Sequence, residues 1–360
     1  MKVLITGAAG RVGANVVKRL VASGAEVRAL VMPGDPNVGK LATFPEVEVV
    51  EGDVRSQDSL NAACQGVTHV VHLAAQMVRG DTPVDTFFDI NSFSTLRLVE
   101  AVRREGDRFE RFVLASTDAT YRPADPPATP LTEDVAQAPA DTYGTSKLLG
   151  EVILRNRAEQ FEIPFSIVRF GTVLSPEEAD KPFRLAFLRG WVGTQQAQGR
   201  DSTFWPLFGP HPGLVELIDA SVGDAGPDTA VGFTGPQGPW TLSMIDVRDA
   251  AQGVCKALTA PGALGRSFNV AAGDPVSYEA AASAISELYG VPKLTVQMPM
   301  TWRLEISIEA ARQHIGYEPA HTYRDTLAAG APAAAPQSDD FIPAAERDSG
   351  VFAKLAGSGR

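Results

Sequence analysis

The stretch that most limits what this chain can fold into is its first thirteen residues. A short apolar run, Lys2-Val3-Leu4-Ile5, leads through Thr6 into glycines at 7, 10 and 13. Beyond Gly10 the apolar spacing changes period, and Val12, Val16, Val17, Leu20 and Val21 fall on one face of a helix. Strand, glycine turn and helix thus follow one another in the order that a phosphate group requires. Gly7 and Gly10 can take a positive φ or let the backbone approach a ligand, and Gly13 removes a side chain where the helix must lie against the strand. The amides of the first helical turn, reinforced by the helix dipole, then face a diphosphate. A glycine triplet alone would mark only a turn; strand and helix in register favour a dinucleotide.

Further strands are expected at 25–31, 47–50, 68–73, 111–115, 165–170 and 267–271. Helical stretches lie between and after them, including a long one over 84–105 and others near 246–259, 277–289 and 307–315. Nearly continuous apolar strands alternating with helices predict an α/β fold: a Rossmann-like, doubly wound parallel sheet covered on both faces. Ligands on such sheets sit at the carboxyl ends of the strands. The positions to inspect are therefore 7–13, 31–35, Asp53, Ala74-Ala75 and Ser116-Thr117. After Pro126, Pro127 and Pro130, a helix starts near Asp141-Thr142 and places Tyr143 and Lys147 four apart on one face. Tyr289 and Lys293 share that spacing, but Gly290 and Pro292 intervene, so no common helix is expected there.

Between about 174 and 240 the alternation lapses. Phe183, Phe187, Trp191, Phe204, Trp205 and Phe208 stand beside Lys181, Arg184, Arg189 and Arg200. They read either as the core of a smaller lobe with solvated cations or as a substrate pocket with an anion contact. The expected organisation is a dinucleotide-binding domain over 1–173 that also receives 241–272. A C-terminal substrate-binding lobe would follow from 174–240 and 273–328, then an Ala/Pro-rich linker and tail over 329–360. A net charge of −11 with no basic block argues against nucleic acid and anionic membranes as partners. Only Cys64 and Cys255 are present, too few for a disulfide framework or a zinc site, and no metal site is expected. With neither a signal-peptide layout at the N-terminus nor an apolar run of spanning length, a cytoplasmic location is the expectation.

The motifs TGAAGRVG at 6–13, Gly52-Asp53, HLAA at 72–75, Asn91, STDATY at 116–121, YGTSK at 143–147 and Arg169 resemble, in this order, the extended short-chain dehydrogenases/reductases. The similarity is to the NAD-dependent epimerase/dehydratase branch with its sugar-nucleotide epimerases, and it extends to ISIEAARQHIGYEP at 306–319. The resemblance implies a catalytic set of Thr117, Tyr143 and Lys147. Tyr143 would be the acid/base, its phenol lowered by the Lys147 ammonium and a nicotinamide ring. Thr117 would orient the same substrate oxygen, and Lys147 would bind the nicotinamide ribose. NAD or NADP would be held by Gly7, Ala9, Gly10, Arg11, Val12, Met32, Asp53 (at the adenine) and Val54. The rest of that set is Leu73, Ala74, Ala75, Asn91, Ser116, Tyr143, Lys147, Phe170, Gly171 and Thr172. The resemblance also implies a homodimer built on helices over 91–105 and 143–160, acting on a sugar, a sugar nucleotide or a related hydroxylated small molecule. A non-catalytic dinucleotide sensor on the same fold is the alternative.

Three departures narrow this picture. Val31-Met32 stands where an acid would select NAD or an arginine NADP; Asp35 or else Arg28 and Lys40 could serve instead, with NAD favoured. Ala119 replaces the glutamate of the dehydratases and decarboxylases, so neither loss of water nor loss of carbon dioxide is expected. Thr172 and the run PWTLSM from 239 lack the Asn and Arg that contact a nucleoside diphosphate, which loosens the expectation of a sugar nucleotide.

Overall fold

The computed structural model describes residues 1–77, 82–332 and 340–344. The chain alternates β1 (Lys2–Thr6), α1 (Arg11–Ala22), β2 (Glu26–Val31), β3 (Glu48–Glu51), α2 (Gln57–Cys64) and β4 (His69–His72). It continues through α3 (Val84–Phe88), α4 (Ser94–Val102), β5 (Arg111–Thr117), α5 (Thr142–Phe161) and β6 (Phe165–Phe170). With the strand Arg266–Val270 these form one parallel sheet of seven, in the order 266–270, β6, β5, β4, β1, β2, β3. From β1 the chain winds outward to β3, then returns to β4 on the other side of β1. The order therefore reverses between β1 and β4, where doubly wound sheets bind their ligands. Apolar side chains fill both faces: α1, the helix Val247–Thr259 and residues 306–317 cover one, α2, α4 and α5 the other.

The expected long helix over 84–105 is broken. A π-helical turn, Asp89–Phe93, separates α3 from α4, and a 3-10 turn follows at Arg103–Arg108. At that turn α5 comes so close that a Cβ on Gly150 would stand 2.6 Å from the Asn91 carbonyl. Asn91 lies within the π-helical turn and is buried there.

The strand Thr172–Leu174 pairs with Met244–Asp246 and leads into the smaller lobe. Its core gathers Phe183, Trp191, Phe208, Phe233, Trp240, Tyr278 and Trp302. Trp191 meets Phe204 and Phe208 edge-on at 4.8 and 5.4 Å. Of the cations considered for an anion contact, Arg184 pairs with Asp180 and Arg189 with Asp219. Most of this aromatic stretch therefore packs as core. Trp302 donates from Nε1 to the Pro123 carbonyl at 2.8 Å and fastens the lobe to the loop beyond β5. Tyr289 ends one helix and Lys293 opens a strand, as Gly290 and Pro292 imply. Helix Tyr323–Gly330 runs into the stretch expected to be linker, and Phe341 and Ala344 are buried. Residues 333–339 and 345–360 of the expected tail lie outside the described residues.

Candidate active site

The turn between β1 and α1 forms as its glycines require. Gly7 sits at φ +68°, and a Cβ there would meet the Ala74 amide at 2.8 Å. A Cβ on Gly13 would stand 2.0 Å from the Gly7 carbonyl, so no side chain fits between helix and loop. Gly10 differs: a Cβ would meet only the Gly7 carbonyl, at 3.2 Å, and otherwise open space. Gly10 is also the N-cap of α1 with no side-chain cap, and the first turn carries no acid. A helix N-terminus left without its own anion, behind a residue whose missing side chain leaves a cavity, fits a diphosphate. Arg11 reaches from that first turn to Glu178, with Nε 2.7 Å from the carboxylate. Ala9 is buried under the turn, and Val12 packs against the sheet core.

Across the switch point, the Thr6 hydroxyl accepts from the Ala74 amide at 3.2 Å and meets His72 Nδ1 at 2.6 Å. Ser94 Oγ gives its own proton to the Ile90 carbonyl, so it accepts from His72 Nε2–H at 2.8 Å, and Nδ1 in turn accepts the Thr6 hydroxyl proton. Burial holds His72 neutral, its pKa pushed down to about 3. This join brings Leu73, Ala74 and the exposed Ala75 beside the glycine turn. Asn91 is buried, and its amide exchanges two bonds with the Gln76 backbone and donates to Ser146 Oγ. It holds the loop after β4 against α5.

At the end where the adenine is expected, Met32 is 58% exposed just past β2. Asp53, expected at the adenine, forms a forked pair with Arg55, which holds its carboxyl below the usual range. Val54 packs against the apolar core beneath α2. Arg28, a candidate for a 2′-phosphate, is engaged elsewhere: Nε pairs with Glu48 and Nη1 donates to the Ala63 and Gln65 carbonyls. Asp35 accepts from the Asn37 amide at 2.9 Å in its own turn.

At the end of β5, Thr117 caps a short 3-10 turn, Asp118–Tyr121, its Oγ1 accepting from Ala119 N at 3.2 Å and donating to Asp118 Oδ1 at 3.1 Å. The start of α5 lies directly on that turn, since a Cβ on Gly144 would reach within 2.5 Å of the Ala119 carbonyl. Asp141 caps the helix by accepting from Gly144 N at 2.6 Å. The result sets the Tyr143 phenol beside Thr117, one helical turn before Lys147. Burial raises the phenol well above its ordinary value; hydrogen bonding to Thr117 lowers it, and the Asp118 and Asp141 charges raise it further. Lys147 is buried, and burial pushes its pKa down to about 8, Glu151 acting against the shift. A buried ammonium on this face suits the hydroxyls of a ribose.

Ser116 does not turn to the same side: its hydroxyl donates to Glu151 at 2.5 Å, and Glu151 is gripped by Arg169 through two bonds of 3.0 and 2.7 Å. Phe170 ends β6 and Gly171 and Thr172 follow it, with Gly171 closed in by the Ser243 carbonyl, 2.9 Å from where a Cβ would lie. Sequence reasoning missed Asp118, whose carboxyl burial raises to about 6 in contact with Thr117. Its one signal was an acid directly after the strand-end threonine.

The family model for the NAD dependent epimerase/dehydratase family matches residues 3–271. A UDP-glucose 4-epimerase of Corynebacterium glutamicum is 27% identical over 341 residues, 91% of this chain and 93% of that enzyme. The one from Streptomyces lividans is 34% identical over 163 residues, 44% of this chain and 47% of that enzyme. Thus the chain spans about half of some curated relatives and nearly all of others. Among solved structures, a short-chain dehydrogenase/reductase superfamily protein from Agrobacterium tumefaciens with bound NAD superposes with a TM-score of 0.77 at 29% identity, covering 92% of this chain and 96% of that one. UDP-glucuronic acid 4-epimerase from Bacillus cereus, with UDP-glucuronic acid and NAD, shares the fold at TM-score 0.67 and 22% identity, over 91% and 96% of the two chains.

Proposed function

Since the chain belongs to the NAD-dependent epimerase/dehydratase family, and so to the enzymes of the extended short-chain dehydrogenase/reductase type, we propose that it is an epimerase or alcohol/carbonyl oxidoreductase acting by hydride transfer on a hydroxylated small molecule. The observation that carries this reading is the pairing of a phenol beside Thr117 with a buried ammonium one helical turn away. A dinucleotide sensor on this fold would still use the lysine, on the ribose, but has no use for a phenol set beside a threonine hydroxyl.

Bound NAD supplies the acceptor and donor of the hydride. Gly7, Gly10 and the head of α1 hold its diphosphate; Lys147 holds the nicotinamide ribose. Tyr143 passes a proton to or from the substrate oxygen, and Thr117 orients that oxygen. Asp118, bound to the Thr117 hydroxyl, places a titratable group next to this proton path. Its negative charge opposes the phenolate and favours Tyr143 as the acid. Ala119 has no proton to exchange, so dehydration and decarboxylation are not part of the reaction. NAD is preferred to NADP because Arg28 is committed to Glu48 and two carbonyls and Met32 offers no charge.

The relatives point to UDP-sugars as the first substrates to try, with free sugars as the second class. Tyr143→Phe should leave NAD affinity unchanged and lower turnover by about two orders of magnitude or more, the range for losing a general acid/base. Undiminished turnover would refute the mechanism. A dehydrated or decarboxylated product in the mass spectrum would refute the reading of Ala119.

A further inference from the structure

The turn Pro176–Glu178 carries the carboxylate that holds Arg11 at the head of α1. Two parts of the C-terminal region close on it. Helix Tyr323–Gly330 ends against it, and a Cβ on Gly330 would stand 1.9 Å from the Pro176 carbonyl. Residues 340–344 then pack on its other neighbours. Asn15, buried on α1, accepts from Ile342 N at 2.8 Å and donates from Nδ2 to Ile342 O at 2.9 Å. A single side chain thus satisfies both backbone groups of one residue, as a neighbouring β-strand would. The same Nδ2 donates to the Arg11 carbonyl at 2.9 Å, which fixes the plane of the amide. Phe341 is 4% exposed, with the Arg248 guanidinium 5.6 Å above its ring. Arg248 is itself set by two bonds to Asp246, and the charge of Asp340 acts on it. Finally, Ala344 N donates to Glu177 Oε1 at 2.5 Å. Pro343 keeps Ile342 extended, the conformation in which both of its backbone groups can meet Asn15.

We propose that α1, the turn Pro176–Glu178 and the start of helix Val247–Thr259 form a peptide-binding groove. Its ligand is the chain's own Asp-Phe-Ile-Pro-Ala segment at 340–344, and its occupancy latches the turn that holds Arg11. A peptide of this kind is recognised by three features: an aromatic anchor under a guanidinium, a backbone amide pair on Asn15, and an amide on Glu177. The consequence for release of a dinucleotide rests on the function proposed above; the groove does not.

The test uses the full-length protein and hydrogen exchange without cofactor. Phe341→Ala should speed exchange at 175–178 and in the first turns of α1 by about tenfold or more, since an opened latch exposes these amides. Strands β4 and β5 should keep the parental rate and so report that the fold is intact. Ile342→Pro, which removes the donor to Asn15 together with the half-buried isoleucine side chain, should act in the same direction. The synthetic peptide Asp-Phe-Ile-Pro-Ala, capped at both ends and added at millimolar concentration, should restore protection to the Phe341→Ala protein; its Phe-to-Ala analogue should not. Parental exchange rates in both variants, or no rescue by the peptide, would overturn the groove. NAD should also dissociate at least several-fold faster from Phe341→Ala. An unchanged dissociation rate beside altered exchange would overturn the latch on release, whereas no NAD binding by the parent would overturn the cofactor reading and leave the groove standing.

Discussion

Replacing Gly10 by valine separates a diphosphate loop from a mere turn. The backbone there, φ −71° and ψ 173°, is open to any residue, and a Cβ meets only the Gly7 carbonyl at 3.2 Å. The fold should therefore tolerate the change at a cost of about 1 kcal/mol or less, the value of a poorer N-cap. The added atoms enter the space in front of the first helical turn. If they push a diphosphate off two backbone amides, two charge-assisted hydrogen bonds of about 1.5–3 kcal/mol each are lost. Together that is roughly 3–6 kcal/mol, or about a hundred- to ten-thousand-fold in affinity. Gly13→Ala is the contrasting perturbation. Its Cβ would stand 2.0 Å from the Gly7 carbonyl, against an ordinary contact of 3.4 Å or more, with backbone on both sides. Overpacking of that kind costs about 1–3 kcal/mol or more, beyond what the better helix propensity of alanine returns. Calorimetric titration with NAD, alongside denaturant melts, should show Gly10→Val folded and unable to bind, and Gly13→Ala destabilised. Gly10→Val binding NAD within a few-fold of the parent would refute the reasoning and reduce the loop to a turn.

The Lys147 ammonium, with its pKa lowered to about 8, is lost as pH rises through that value. NAD affinity should accordingly fall above about pH 8, by no more than about tenfold per unit, and Lys147→Met should abolish that dependence; a parent with flat affinity to pH 10 would contradict it. Asp118→Asn removes a charge that raises the Tyr143 phenol, so the limb on which substrate oxidation rises with pH should move to lower pH, and an unmoved limb would remove Asp118 from the proton path. Phe93 and Val152, 43% and 52% exposed beside α4 and on α5, leave apolar surface on the helices of the expected dimer. Light scattering should give twice the chain mass at micromolar concentration, and a monomer would end that proposal.

Local pattern alone determined a large share of this protein. The strand, glycine turn and helix over residues 2–22 and the Tyr143–Lys147 pair are written in spacings of two to four residues. So is the alternation that gives six further parallel strands. Such spacings reflect backbone sterics and the face a short segment must bury, which act before any distant contact forms. The tertiary structure decided everything that depends on what lies opposite. Asn91 and Ser116, plausible ligand contacts by position, spend their side chains on Gln76, Ser146 and Glu151. Asp118 became a titrating neighbour of the phenol only when α5 settled on its turn. Shared helical spacing put Lys147 on one face with Tyr143, but burial by the packed surroundings set the direction of both pKa shifts. Residues 340–344, read from composition as part of a linker, are held by Asn15 and Glu177 from 327 and 167 residues away. Partners that far apart meet through the packing of whole elements, and no periodicity within either segment records it.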